Sequence, residues 1–231
     1  MSVAIVIAAS GSGSRFGGRI PKQFQDLGGM PVIARTLAAF DRLDITQEIV
    51  VAAPAGYVTH TYDIIARYKF AKVNMVVPGG INRAASVYSA LKQLSPSTSI
   101  VLIHDGVRPF VTGELIKSVA SAAKTHGAAI AGTPLTDTIK KVDDNRQVES
   151  TPNRKHYWQV QTPQGFAYDL IMKAYAQGEK DDILNQVTDD SSLVERLGIP
   201  VYMVEGSSGN IKITTREDLE LGRLRLKGAL K

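Results

Sequence analysis

The chain has 231 residues, 44% of them apolar and 21% charged, enough to bury a real core in one large domain or two small ones. It holds no cysteine, which excludes disulfides, thiolate-held zinc and a cysteine nucleophile at once and fits a reducing, cytoplasmic setting. Its formal charge of +5 is spread without a long basic run, so it reads as a mildly basic surface or as a preference for a charged small molecule such as a nucleotide, not as a nucleic-acid arm.

The first apolar run, Val3–Ala8, is too short to cross a membrane and has no basic segment ahead of it. It reads as a first strand, and no membrane partner is expected. It leads into "ASGSGSRFGGRIPKQF". A dinucleotide fingerprint needs G-x-G-x-x-G; Gly11 and Gly13 fit, but Phe16 holds the third position and Gly17 comes one residue late. The acid that should close the second strand is missing from Ala52-Ala53-Pro54. A P-loop needs lysine directly after its last glycine, and Arg19-Ile20 follow Gly18. What remains is a set of glycines, which let backbone N–H groups close on phosphate oxygens, together with Arg15 and Lys22. Two fixed cations beside a triphosphate stabilise the charge that builds on a departing pyrophosphate.

Helical period follows over Pro31–Phe40, with proline in the first turn. Strand-length runs at Ile49–Ala53 and Val73–Val77 flank a helix over Tyr57–Tyr68. "PGGINRAASV" places Gly79-Gly80 before a helix over Arg83–Leu94, an arrangement that suits a base edge or a phosphate and equally an ordinary turn. The next strand, Ile100–His104, runs into "IHDGVRPF". Asp105 then sits at the carboxyl end of a strand, where open α/β sheets bind ligands and where a carboxylate can hold Mg²⁺. His104 reads as a packed, hydrogen-bonded histidine before it reads as a general base. The other histidines lack metal-ligand spacing, and no G-x-S-x-G elbow is present. Thr112–His126 is a helix with Thr112 as its N-cap and Gly127 as its stop, followed by a strand over Ala128–Thr133. Because these strand runs are continuous rather than alternating, both faces should be covered: the fold class is α/β, a doubly wound, mostly parallel sheet.

The pattern changes after Pro134. Two short strand-like pieces, Thr138–Val142 and Gln147–Ser150, are joined by Asp143-Asp144-Asn145-Arg146, and a third piece follows at Tyr157–Gln161. This reads as a polar hairpin arm over about residues 136–160, inserted in a single domain spanning 1–231 and suited to packing on a partner subunit. Helices return at Asp169–Gln177, Asp190–Leu197 and Arg216–Leu226, with a strand at Val201–Val204. In "GNIKIT", Lys212 falls in a short apolar strand, either as an edge charge or as a functional cation.

Taken in order, "ASGSGSRFG", "PKQF", "GGINRAASV", "HDGVRPF", "TDTIKKV", "QTPQGF", "TDDSSLVE" and "NIKIT" resemble the 2-C-methyl-D-erythritol 4-phosphate cytidylyltransferases over nearly the whole chain. The resemblance implies a Rossmann-like nucleotidyltransferase fold that binds CTP with Mg²⁺ or another divalent cation. It implies attack of a polyol phosphate on the α-phosphorus, loss of pyrophosphate, and no covalent intermediate. It also implies residue roles. Ala9, Ser10, Gly11 and Gly13 should line the CTP, and Gly80 and Ser86 should border its cytosine and ribose. Arg15 and Lys22 should neutralise the triphosphate, Asp105 should help hold the metal, and Lys212 should contact the α-phosphate. In the family the arm crosses a homodimer interface, which points to Thr138, Arg154 and Thr162 as acceptor contacts in trans. Ser10 and Gly106 stand where alanine is usual and should be small changes; Ile81 stands where a polar residue is common. "PLTDTIKKV" and "VESTPNRKHYWQVQTPQGF" favour methylerythritol phosphate as acceptor, whereas "PAGYVTHT" and "HDGVRPF" lean toward the related ribitol 5-phosphate and other pentitol-phosphate enzymes.

Overall fold

A computed structural model describes residues 2–11, 16–18 and 20–228. Its main sheet has seven strands: β1 (Val3–Ala8), β2 (Thr46–Ala53), β3 (Val73–Pro78), β4 (Ile100–Asp105), β5 (Ala128–Pro134), β8 (Trp158–Ala167) and β9 (Tyr202–Glu205). They lie in the order β3-β2-β1-β4-β8-β5-β9. All neighbours are parallel except β8, which runs antiparallel to both β4 and β5.

The apolar runs form strands because both faces are covered. Val3, Ile5 and Ile7 of β1 pack in one layer with α1 (Val32–Asp41), α2 (Val58–Tyr68) and α4 (Gly113–His126). Ala4 and Val6 turn to the opposite layer, against α3 (Arg83–Leu91), α5 (Tyr168–Lys180) and α6 (Ser191–Arg196). The period of two in the strand thus reads directly as two cores. Thr112 caps α4, its hydroxyl accepting from Leu115 N–H at 3.2 Å, and Gly127 ends the helix at φ 82°. A last helix, α7 (Arg216–Leu226), is closed by a capping box from Thr215 and Asp218.

The chain order β3-β2-β1-β4 reverses direction between β1 and β4, where Ala8 pairs with Asp105. A reversal of this kind opens a crevice outside the carboxyl ends of the two strands, and ligands bind there.

Two expectations are corrected. The third arm piece, Tyr157–Gln161, is mostly the start of β8, whose Trp158, Gln159 and Val160 pair with Pro134, Thr133 and Gly132. Its exposed positions made it read as polar arm, but its second half, Gln161–Phe166, is buried. The separate two-stranded piece is therefore only β6 (Lys141–Val142) with β7 (Val148–Ser150). Lys212 lies in an extended loop and not in a strand, because β9 already ends at Glu205 and residues 206–214 find their partners through side chains and single backbone bonds.

Candidate active site

The crevice is a cleft of about 430 Å³ whose lining includes Ala9, Ser10, Gly11, Lys22, Gly80, Asp105 and Lys212. Gln23, itself 1% exposed, fixes its floor: its Nε2 donates to the carbonyls of Ala9 at 2.6 Å and Gly11 at 3.1 Å. The next residue, Phe24, stacks on Tyr57 of the turn leading into α2, with ring centroids 4.8 Å apart. "PKQF" is thus pinned through the two residues that follow Lys22, and Lys22 lines the cleft together with Gly11. Gly13 and Arg15 lie outside the described residues.

The second glycine loop closes against the first. Gly80 N–H donates to Ser86 Oγ at 3.0 Å, Ser86 donates to the Asn82 carbonyl at 2.7 Å, and Ser10 donates to Ser86 at 2.7 Å. Gly79 is required by this approach, since a Cβ there would lie 2.2 Å from Ser10 Cβ. Asn82 starts α3 by accepting from Ala85 N–H at 2.7 Å. Ser86 is fully buried and braces the loop from behind.

Asp105 is the electrostatic centre. Lys212 Nζ lies 2.9 Å and Arg108 Nε 3.3 Å from its Oδ2, while Arg83 Nε lies 3.5 Å from its Oδ1. Burial alone would push this carboxyl up, but Arg83, Lys212 and Arg108 together hold it well below the usual carboxylate range. Arg83 is itself anchored: its Nη2 donates to the fully buried Asp190 at 2.7 Å, and Tyr175 donates to the other Asp190 oxygen at 2.5 Å. Burial disfavours the Arg83 charge, yet Asp190 and then Asp105 outweigh it, so the guanidinium stays charged.

Behind Asp105, His104 is fully buried and hydrogen-bonded at both nitrogens. Its Nε2 lies 3.1 Å from the Arg108 carbonyl, which can only accept, so Nε2 carries the proton. Nδ1 must then accept from the Thr162 hydroxyl at 3.0 Å, and Thr162 in turn accepts from Asp105 N–H at 3.1 Å. Burial pushes the imidazole down to about 4, so the ring is neutral. It is a structural histidine, as the packed reading expected.

A second cleft of about 530 Å³ shares Arg83, Asp105 and Lys212 with the first and is walled further by Arg108, Thr162 and Gln164. Thr162 is therefore attached to this chain's own Asp105; as part of buried β8 it cannot serve as a contact donated by a partner's arm, and the in-trans expectation for it is corrected. Thr138 and Arg154 line neither cleft; both are exposed at the arm, where Arg154 donates to the Thr136 carbonyl. Sequence reasoning missed Arg83 and Arg108 as site residues, although each stands in a quoted motif. Arg108 follows Asp105 by three residues and pairs with it across that spacing. Gly106 is also tighter than expected, since a Cβ there would meet Ala9 Cβ at 2.8 Å and Ile7 Cγ2 at 3.2 Å.

Known proteins of the same kind match this frame. The family model of IspD, 2-C-methyl-D-erythritol 4-phosphate cytidylyltransferase, matches residues 3–227. A protein of that name from Alkaliphilus oremlandii is 44% identical over 97% of this chain and 94% of its own length, and one from Syntrophus aciditrophicus is 42% identical over 97% and 96%. The crystal structure of 4-diphosphocytidyl-2C-methyl-D-erythritol synthase from Anaerococcus prevotii superposes with a TM-score of 0.84 at 34% identity, covering 97% of this chain and 95% of that one. The Francisella tularensis cytidylyltransferase structure superposes at 0.83 with 30% identity, covering 97% and 100%. With the glycine loop, the Asp105 cluster and Lys212 all in place within that matched length, the chain belongs to the 2-C-methyl-D-erythritol 4-phosphate cytidylyltransferase family.

Proposed function

We propose that the protein transfers CMP from CTP to 2-C-methyl-D-erythritol 4-phosphate, giving 4-diphosphocytidyl-2-C-methyl-D-erythritol and pyrophosphate. The observation that carries the reading is the shared wall: among the described residues, two clefts meet at Arg83, Asp105 and Lys212. One cleft has the glycine loops of a nucleotide site, and the other has basic and hydroxyl groups suited to a polyol phosphate. An α-phosphorus held at the wall is open to an acceptor phosphate oxygen arriving from the second cleft. A P–O bond forms to that oxygen, the bond to the bridging α–β oxygen breaks, and pyrophosphate leaves with the electron pair. Lys22 faces the departing end, and Lys212 and Arg83 flank the centre, where fixed charge lowers the barrier. No group needs to become a covalent nucleophile.

A divalent cation, Mg²⁺ foremost, fits this site in a limited way. Among the described residues no three His, Cys, Asp or Glu side chains gather as a cage. Mg²⁺ commonly takes only one or two carboxylates and completes its shell with phosphate oxygens and water. Asp105 is the residue that would hold it, and its charged state at neutral pH suits that task. The ion would neutralise phosphate charge.

The arm supports a homodimer. Val142 and Val148 on β6 and β7 are 49% and 60% exposed, an apolar pair left uncovered among the described residues. Arg154 and Thr138 belong to the same exposed arm and would contact a neighbour's acceptor cleft, where a guanidinium suits a phosphate. Nucleic acid is no part of this reading, and among the described residues no helix is long and apolar enough to cross a membrane. The family match favours methylerythritol phosphate over ribitol 5-phosphate as acceptor. A coupled pyrophosphate-release assay with CTP and each acceptor tests it: turnover with ribitol 5-phosphate and none with methylerythritol 4-phosphate would overturn the reading.

A further inference from the structure

Lys212 reaches Asp105 from a loop without regular structure, and something must hold that loop to the accuracy that transfer at phosphorus needs. On the N-terminal side of Lys212 the nearest buried anchor is Asn210. Its side chain is 1% exposed, and its Nδ2 donates to the Thr162 carbonyl at 2.8 Å and to Gln161 Oε1 at 3.3 Å. Its own carbonyl accepts from Arg108 Nη1 at 2.8 Å, the same arginine whose Nε faces Asp105. On the far side of Lys212, the fully buried Ile213 donates its N–H to the Val107 carbonyl at 2.8 Å. Lys212 is therefore carried between two buried anchors, one apolar and one polar.

The polar anchor is not a neutral choice for stability. Asn210 Oδ1 is buried with no hydrogen-bond partner among the described residues. Rotating the amide by half a turn would satisfy nothing, because it would set an oxygen against the Thr162 carbonyl and the Gln161 oxygen. An orphaned acceptor is a cost that an apolar side chain would not carry. The amide makes two donated bonds, and those bonds tie the Lys212 loop to β8 at Gln161 and Thr162, the latter also holding Asp105.

We infer that Asn210 is a positioning residue for phosphoryl transfer, acting through Lys212: its amide locks the loop to β8 so that Nζ meets the shared wall of the two clefts. The inference rests on the role given to Lys212 above. Loss of the lock leaves the lysine in place chemically and misplaces it spatially, and misplacement of about 1 Å costs turnover on the order of a hundredfold.

The test is a kinetic double-mutant cycle on the full-length enzyme with Asn210→Asp, an isostere without donors, and Lys212→Ala. Asn210→Asp should lower kcat on the order of a hundredfold while leaving the KM for CTP close to that of the parent. The double variant should be no slower than Lys212→Ala alone, because a residue that acts through a lysine has nothing to act on once the lysine is gone. Losses that multiply in the double variant, or a folded Asn210→Asp with parental kcat, would overturn the inference and leave the role of Lys212 standing. Full turnover in Lys212→Ala would instead sink the role of Lys212, and this inference with it. If thermal melting shows that Asn210→Asp unfolds below the assay temperature, Gln161→Met removes one of the two accepting partners and is read in the same cycle: a smaller loss that vanishes on the Lys212→Ala background supports the inference, and one that multiplies refutes it.

Discussion

Acidification should destabilise the fold through His104 as pH falls from 6.5 toward 4. In the native state Nδ1 accepts from Thr162, so adding a proton there turns an acceptor into a donor facing a hydroxyl that is already donating. The ring is fully buried, and its pKa falls from 6.5 to about 4, with burial the largest cause. The sign follows from that depression. Between the two values the unfolded chain binds a proton that the native chain does not, so stability is fully present above pH 6.5 and is lost as pH falls toward 4. Each pH unit in that window costs about 1.4 kcal/mol, hence about 2 kcal/mol from neutrality to pH 5 and about 3 kcal/mol over the full window. Asp105 acts in a separate, lower window: its carboxyl is held below its ordinary value of 3.8, so its contribution is lost only under stronger acid. Urea denaturation of the parent and of His104→Gln, at half-unit steps from pH 7.5 to 4.5, measures the difference. The parent's stability should fall more steeply by about 1.4 kcal/mol per unit below pH 6.5. Parallel curves would refute the argument.

Four further outcomes follow from the geometry. Lys22→Ala and Lys212→Ala should each lower kcat/KM a hundredfold or more, on the order of 3 kcal/mol of transition-state stabilisation, as read by pyrophosphate release. Arg83→Met should reduce stability in urea by about 3 kcal/mol, because it leaves the buried carboxylate of Asp190 without its cation; an unchanged midpoint would deny the anchor. Gly106→Ala should destabilise by about 1–3 kcal/mol and raise the KM for CTP, since the new methyl presses on Ala9 in the nucleotide loop. If the arms complete each other's sites, mixing Lys22→Ala subunits with Arg154→Ala subunits should restore activity, one intact site per heterodimer; confirmed heterodimers as inactive as their parents would count against arm exchange.

Much of the frame was legible because burial leaves a plain mark on sequence. The continuous apolar runs of β1, β2, β4 and β5 and the caps at Thr112 and Gly127 are local signals with local causes. β8 was not legible in the same way. Its outer half runs through exposed Gln159 and Val160 and its buried half is rich in polar residues, Gln161, Thr162 and Gln164. Those side chains are inside because they are satisfied there: Gln164 accepts from the backbone N–H groups of Asp190 and Ser191 and donates to Asp189. A strand that buries hydrogen-bonding side chains looks like a surface strand until its partners are known. Lys212 misled for a related reason: two isoleucines around a lysine give the alternation of a strand, but the pattern comes from two separate anchors and no ladder.

The same logic explains why a site for anions contains so much acid. Arg83, Arg108 and Lys212 converge on one small wall, and three unscreened cations that close would repel one another and splay. Asp105 stands between them, and Asp190 holds Arg83 from behind. Three positive and two negative side chains leave a net charge of +1 in the cluster, enough to attract a triphosphate yet balanced enough to stay ordered before it arrives. Preorganised charge stabilises a transition state because it need not be rearranged during the reaction. Asp105 then has a role that precedes any metal: it fixes the cations in the positions that the phosphates will occupy between them. Replacing it by asparagine should therefore harm turnover more than nucleotide binding, because the cations would remain attractive to CTP but would no longer be held in register with the α-phosphorus.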